Sequence, residues 1–228
     1  MTLRRTYAHA YAEGCVIMLD DKPLITPAGN ICNVPTAALA GIVAAEWQAQ
    51  EKTLKPSSMP FTQMVFTALD RIATHRAAVI DDVARYLETE LVCHYSDRNA
   101  VSALQRQRWQ PLHDWLQRRF NITLPITTAL APITSIDIAW AATHVATYDD
   151  FRLCALQVAV HTAGSFAIGL ALVEGAVDAI AATSAAEVEA DAQAAEWGAD
   201  ADTQTRRDAV QNELVLVENF IKLLKKES

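Results

Sequence analysis

A change of hydrophobic period at Pro35-Thr36 constrains this chain more than any other feature. Before it, apolar residues come in short runs bounded by turn residues; after it, they recur every three or four positions almost to the end. That pattern predicts an α+β protein in which a small β-rich N-terminal domain (1–35) precedes a larger all-helical domain (36–228). Residues 15–19, an acidic turn at Asp20-Asp21-Lys22 and residues 23–26 read as strand, turn and strand. Residues 31–34 form a third extended piece, kept short by Asn33 and closed by Pro35.

Thr36 can cap a helix over 36–50 that turns Leu39, Ile42, Val43 and Trp47 to one side. Pro60 suits the first turn of the next helix, where its missing N–H does no harm, and Phe61, Met64, Val65, Leu69 and Ile72 make the buried stripe. A third helix over 78–93 places Val79, Val83, Tyr86, Leu87 and either Leu91 or Val92 inward. Helical character resumes near Ala100, and Pro111 is expected to start a separate segment with Leu112, Trp115, Leu116 and Phe120 on one face. Gln105, Arg106, Gln107, Arg108, Gln117, Arg118 and Arg119 fall on the polar face there and form the main local basic density.

Residues 121–134 read as a connector, with Pro125 and Pro132 among threonines. A second helical cluster follows over 135–148, 150–173, 184–197 and 203–224, the last with a stripe of Val210, Leu214, Val217, Ile221 and Leu224. The weakly polar run 153–173 is interrupted by Gln157, His161, Thr162 and Ser165. It reads as a buried central helix, because a bilayer would leave those groups unsatisfied.

Of the 228 residues, 51% are hydrophobic and 20% charged, the composition of a globular protein, and the formal net charge is −8. That sign disfavours nucleic acid and anionic membrane surfaces and permits attraction to a basic protein partner. Cys15, Cys32, Cys93 and Cys154 lie far apart in apolar surroundings, as buried thiols of a reducing compartment do. Arg4-Arg5 is followed by no continuous apolar stretch, so no secretory signal is expected.

Residues 184–200 carry acids, one large ring and a glycine, with no base until Arg206. Ser184 and Glu187 have capping-box spacing and Gly198 can end the same helix at positive φ, which predicts one helix over 184–197. On it Glu189, Gln193 and Glu196 share a polar face and Trp197 stands at the exit. Three readings are open for this segment: a solvated face, a surface that receives a positively charged protein segment, or an active site.

Elsewhere the chemistry is sparse. His9, His75, His94, His113, His144 and His161 lack metal-ligand spacing, no glycine string forms a phosphate cradle, and neither metal nor cofactor is expected. His161 and Ser165 share a helical face without an orienting acid, so a hydrogen bond is expected there rather than a nucleophile. Gly164 and Gly169 read as close-approach positions inside a helix, with a kink or pocket wall as the alternative. Asp70-Arg71 are expected to diverge, Asp70 inward to a polar partner and Arg71 outward, and Asp149-Asp150 to satisfy a helix start.

Several strings occur in a telling order: Thr26-Pro27-Ala28, Val34-Pro35-Thr36, Ala45-Glu46-Trp47-Gln48-Ala49-Gln50, Met59-Pro60-Phe61-Thr62, Ala68-Leu69-Asp70-Arg71, Leu91-Val92-Cys93, Trp109-Gln110-Pro111-Leu112, Gly164-Ser165, and Gln193 with Trp197-Gly198. In that order the chain resembles the assembly chaperones of F-type ATP synthase that hold its alpha subunit. The resemblance implies a non-enzymatic protein, monomeric when free, that shields the unassembled alpha subunit until a beta subunit replaces it. It implies a cytoplasmic location in bacteria and a mitochondrial one in eukaryotic relatives. Glu189, Asp191, Gln193, Glu196, Trp197 and Asp200 would be the partner-binding set, with Trp47, Asp70 and Arg71 as structural or partner-binding positions. Where the family carries a pair of adjacent acids, Ala190 follows Glu189 here and Asp191 restores the charge one residue later, about 100° further round the helix. The N-terminal β region is shorter than in typical members, and His94 precedes the tyrosine that follows the family cysteine. A helical scaffold for another protein is the alternative, and a small-molecule enzyme is a more distant one.

Overall fold

The structure, a computed structural model, describes residues 10–13, 15–51, 53–129, 131–198 and 201–225. Three antiparallel strands, β1 (Ala10–Glu13), β2 (Val16–Leu19) and β3 (Lys22–Pro23), form a meander in the order β1-β2-β3. Asp20 and Asp21 both take left-handed φ (47° and 63°), the conformation a two-residue hairpin loop needs and one that aspartate tolerates. Leu19 therefore pairs with Lys22 across the loop. β1 has no counterpart in the sequence expectation, and residues 24–34 add the bridges Ile25 to Ile31 and Val16 to Asn33 together with backbone hydrogen bonds such as Leu24 N to Ile17 O (2.8 Å) and Val34 N to Cys15 O (2.9 Å).

Ten helices follow among the described residues. Two compact units emerge, the first holding the described residues up to Arg76, Tyr148–Ala155 and those from Asn219 onward, the second Ala77–Thr147 and Leu156–Glu218.

In the first unit, α1 (Ala37–Gln48) lies on β1 and β2. Thr36 caps it, accepting from Leu39 N at 3.2 Å. Its buried side is Leu39, Ala40, Val43, Ala44 and Trp47, whereas Ile42, expected inside, is 37% exposed. Alanines let the helix sit close to the strands, and the inward face turns toward them. α2 (Pro60–Phe66) starts at Pro60, as expected, and its free N–H groups are met from a distance. The Glu46 carboxylate of α1 accepts from Phe61 N (2.9 Å), Thr62 N (2.7 Å) and the Thr62 hydroxyl (2.6 Å). The chain continues as a π-helical turn over Thr67–Ile72 into α3 (Ala73–Arg85), which breaks at His75 (φ −122°, ψ 26°).

The second unit corrects three sequence expectations. Helix α3 stops at Arg85 and gives way to 3-10 turns at Tyr86–Thr89 and Leu91–Cys93, with Val92 buried and Leu91 half-buried. Pro111 does not start a helix; it lies within α4 (Asn99–Phe120), which continues through it and ends at Asn121 in the left-handed region. The run 150–173 is two helices, α6 (Asp150–Ala163) and α7 (Phe166–Val173), because Gly164 takes φ +65° and Ser165 caps the restart. Asp137 caps α5 (Ile138–Val145), and Asp178 caps α8 (Ala179–Ala186).

Every residue of α7 is buried, so the central-helix expectation holds for this half of the run. Gly169 is what permits it: a Cβ there would stand 2.7 Å from Val160 Cγ2 and 2.9 Å from the Val160 amide nitrogen. The connector expected at 121–134 is extended, and Tyr95 N and Thr127 N donate to Thr127 O and Cys93 O, both at 2.8 Å. No helix among the described residues is long and apolar enough to cross a membrane.

Candidate partner-binding surface

The acidic segment begins with a joint rather than a cap. Ser184 lies inside α8, Glu187 sits between helices (φ −101°, ψ 23°), and α9 (Val188–Trp197) starts without a side-chain cap. The capping box expected of Ser184 and Glu187 therefore does not form. Gly198 does close α9 at positive φ (89°) as its sequence position suggests. α10 (Ala201–Leu224) follows, with Leu214, Val217 and Phe220 buried.

Glu189, Gln193 and Glu196 all face solvent, as their three-and-four spacing dictates. Asp191 points elsewhere. Its two oxygens are held by Arg108 of α4 (2.5 Å) and by Arg207 of α10, and Arg108 also donates to Ser184 O at 2.8 Å. The Arg108 and Asp191 side chains are each 21% exposed, so this is a half-buried clamp fastening α9 to two other helices. Glu189 accepts from Gln105 Nε2 at 3.4 Å, and Gln105, expected on a solvated face, is fully buried and takes Ser96 N on its carbonyl oxygen at 2.8 Å. Part of the apparent basic density of α4 is thus spent within the unit on the acids of α9.

At the exit of α9, Arg98 pairs with Glu196 and lies 5.5 Å from the Trp197 ring centroid. Trp197 is 68% exposed, the most exposed large hydrophobic side chain among the described residues. Asp200, the last of the expected partner-binding acids, lies outside the described residues. Beside α9 an open cleft of about 460 Å³ is lined by the end of α6, the α8–α9 joint, Gln193 and Arg206.

Of the other candidates, Trp47 and Asp70 serve the interior. Trp47 is buried and tilts against Phe66 at 6.5 Å. Asp70 turns inward as expected, accepting from Thr26 Oγ1 (2.6 Å), Asn30 Nδ2 (2.8 Å) and Ala28 N (3.0 Å), and so pins the Thr26–Asn30 turn. Partial burial raises its carboxyl pKa, but the three hydrogen bonds outweigh that and leave it below its ordinary value. Arg71 is exposed.

Ser165 Oγ donates to Glu90 and accepts from Ile168 N at 3.0 Å, which commits its proton to the buried carboxylate. His161, expected to meet Ser165, bonds Asp82 at 2.7 Å and stacks on Tyr86. Cys32, Cys93 and Cys154 are buried thiols pushed up to about 12 by desolvation, and Cys15 is half-buried. No group of three or more histidine, cysteine or acidic side chains among the described residues is placed to hold a metal ion.

Two carboxylates escaped the sequence reading. One is Glu46, described above. The other is Glu90, fully buried where 3-10 turns follow α3, accepting from Ser165 Oγ, Ala167 N (3.1 Å), Val92 N (3.3 Å) and Phe166 N. Burial raises its pKa against the pull of those donors. In the sequence Glu90 is one of two acids, with Glu88, between Leu87 and Cys93, and only the apolar Leu91-Val92-Cys93 that follows sets it apart.

These structural uses account for most of the ordered strings noted in the sequence, and comparison with known proteins agrees. Residues 4–117 match the family described as ATP12 chaperone protein. An aspartate-to-lysine variant of Atp12p from Paracoccus denitrificans superposes with a TM-score of 0.90 at 30% identity, covering 97% of this chain and 98% of that one. Atp12 from the same organism gives 0.89 at the same identity and coverage. The Atu1473 protein of Agrobacterium tumefaciens gives 0.84 at 32% identity, covering 96% of this chain and 84% of that one. The chain belongs to the ATP12 chaperone family.

Proposed function

We propose that this protein binds the unassembled alpha subunit of F-type ATP synthase, covers its assembly surface and releases it to the beta subunit, with no bond made or broken. The observation that carries the reading is the family match together with a fold shared along 97% of the chain. It acts as a monomer in the cytoplasm. Contact is centred on the exposed end of α9. Removing a large side chain such as Trp197 from water contributes roughly 1.5–3 kcal/mol, whereas a surface ion pair contributes about 0–1. Trp197 therefore sets affinity, and the solvent-facing Glu189 and Glu196 set orientation and encounter rate.

The test is capture of the separately produced alpha subunit at low salt. A stable complex with the free subunit and none with the assembled F1 head is expected; no complex with the free subunit overturns the proposal. Trp197→Ala should weaken the complex far more than Glu196→Ala at unchanged helicity. Equal losses would remove Trp197 from the contact.

A further inference from the structure

The acids around α9 differ in how well they are satisfied. Asp191 holds two guanidinium groups, Glu196 holds one, and Glu90 has four donors. Glu187 stands apart. Its side chain is 6% exposed, yet its one counter-charge among the described residues is Arg206 at 3.5 Å, whose own side chain is 75% exposed. A carboxylate this buried gains most from short, directed hydrogen bonds, and a largely solvated arginine at that distance supplies little. Glu187 lines the cleft of about 460 Å³, and Glu189, Gln193 and Arg206 share its walls. Two carboxylates and the Gln193 amide thus line a space in which, among the described residues, the one lysine or arginine at the wall is mostly in solvent. His161, which also lines the cleft, is engaged with Asp82 at 2.7 Å.

We infer that the cleft receives a lysine or arginine side chain of the client subunit, which displaces Arg206 and takes its place on Glu187. Arg206 is then an internal stand-in: it screens the buried acid in the free protein and competes with the client. The inference rests on the proposed function, because the client is the alpha subunit bound there.

The two partners of the existing pair predict opposite effects, which a purely structural ion pair does not. Affinity for the isolated alpha subunit is measured by titration for the wild type, Glu187→Gln and Arg206→Ala, with thermal melts of all three as a folding control. Glu187→Gln should weaken binding by about tenfold, and Arg206→Ala should tighten it by roughly three- to tenfold. Because Arg206 is three-quarters exposed, its variant remains an informative test even if Glu187→Gln folds poorly. Unchanged or weaker binding by Arg206→Ala overturns the inference while leaving the chaperone reading intact. Failure of the wild type to bind overturns the chaperone reading, and the client assignment falls with it.

Discussion

Two of the joints between consecutive helices in the second unit, α6 to α7 and α8 to α9, are finished differently. Between α6 and α7 the chain turns at Gly164, Ser165 caps the restart, and the buried Glu90 accepts from Ser165, Phe166 and Ala167. The helix start is fully satisfied from inside. Between α8 and α9 there is no side-chain cap, and Glu187 is left with one distant arginine beside an open cleft. A closed joint of the first kind fixes a core, whereas one of the second kind leaves hydrogen-bonding capacity that another molecule can use.

The largest expected effect breaks the closed joint. Glu90→Ala leaves a hydroxyl and several amides without an acceptor and opens a cavity, and it should lower unfolding free energy by roughly 3 kcal/mol in denaturant titration. Glu187→Ala should lower it by less than about 1 kcal/mol, since its ion pair is mostly exposed on the arginine side. Similar losses for the two would erase the distinction drawn here.

The glycines sharpen it at intermediate size. Gly169→Ala drives a Cβ into the Val160 backbone and should cost about 2 kcal/mol. Gly164→Ala meets open space but must hold φ +65°, and should cost about 1 kcal/mol.

The smallest effect belongs to the first unit and is read through pH. The folded pKa of Asp70 lies below its unfolded value, so its contribution is present above the unfolded pKa and fades as pH falls through the folded one. Asp70→Asn should therefore lower stability at neutral pH and flatten the acid end of the curve, so that its difference from the wild type shrinks below about pH 4. An unchanged acid limb would show that the Thr26–Asn30 turn holds without that charge.

What could be read from the sequence follows how local each interaction is. The strand-turn-strand start, the Thr36 cap, the Pro60 entry, the Gly198 exit and the shared face of Glu189, Gln193 and Glu196 depend on neighbours within four residues, and each is found. The misses depend on distant partners. Arg108 and Gln105 resemble surface residues until α8 and α9 arrive 76 or more positions later to cover them. Ser184 and Glu187 have the spacing of a cap, yet α8 already runs through Ser184. Pro111 has the signature of a helix start, but Trp109, with its indole N–H on Ala185 O at 2.8 Å, and Leu112 anchor α4 on both sides of it. Glu90 and Glu46 are not legible in the sequence because a carboxylate does not announce which distant helix start it will serve.

The Thr36 hydroxyl, besides capping α1, donates to Leu223 O at 2.5 Å and so closes one of the open carbonyls of the final turn of α10. The first unit therefore cannot be completed when its early residues leave the ribosome, since it waits for segments near positions 150 and 220. Nascent chains stalled before residue 219 should expose the α1 surface to protease, and only release of the α10 end should seal it.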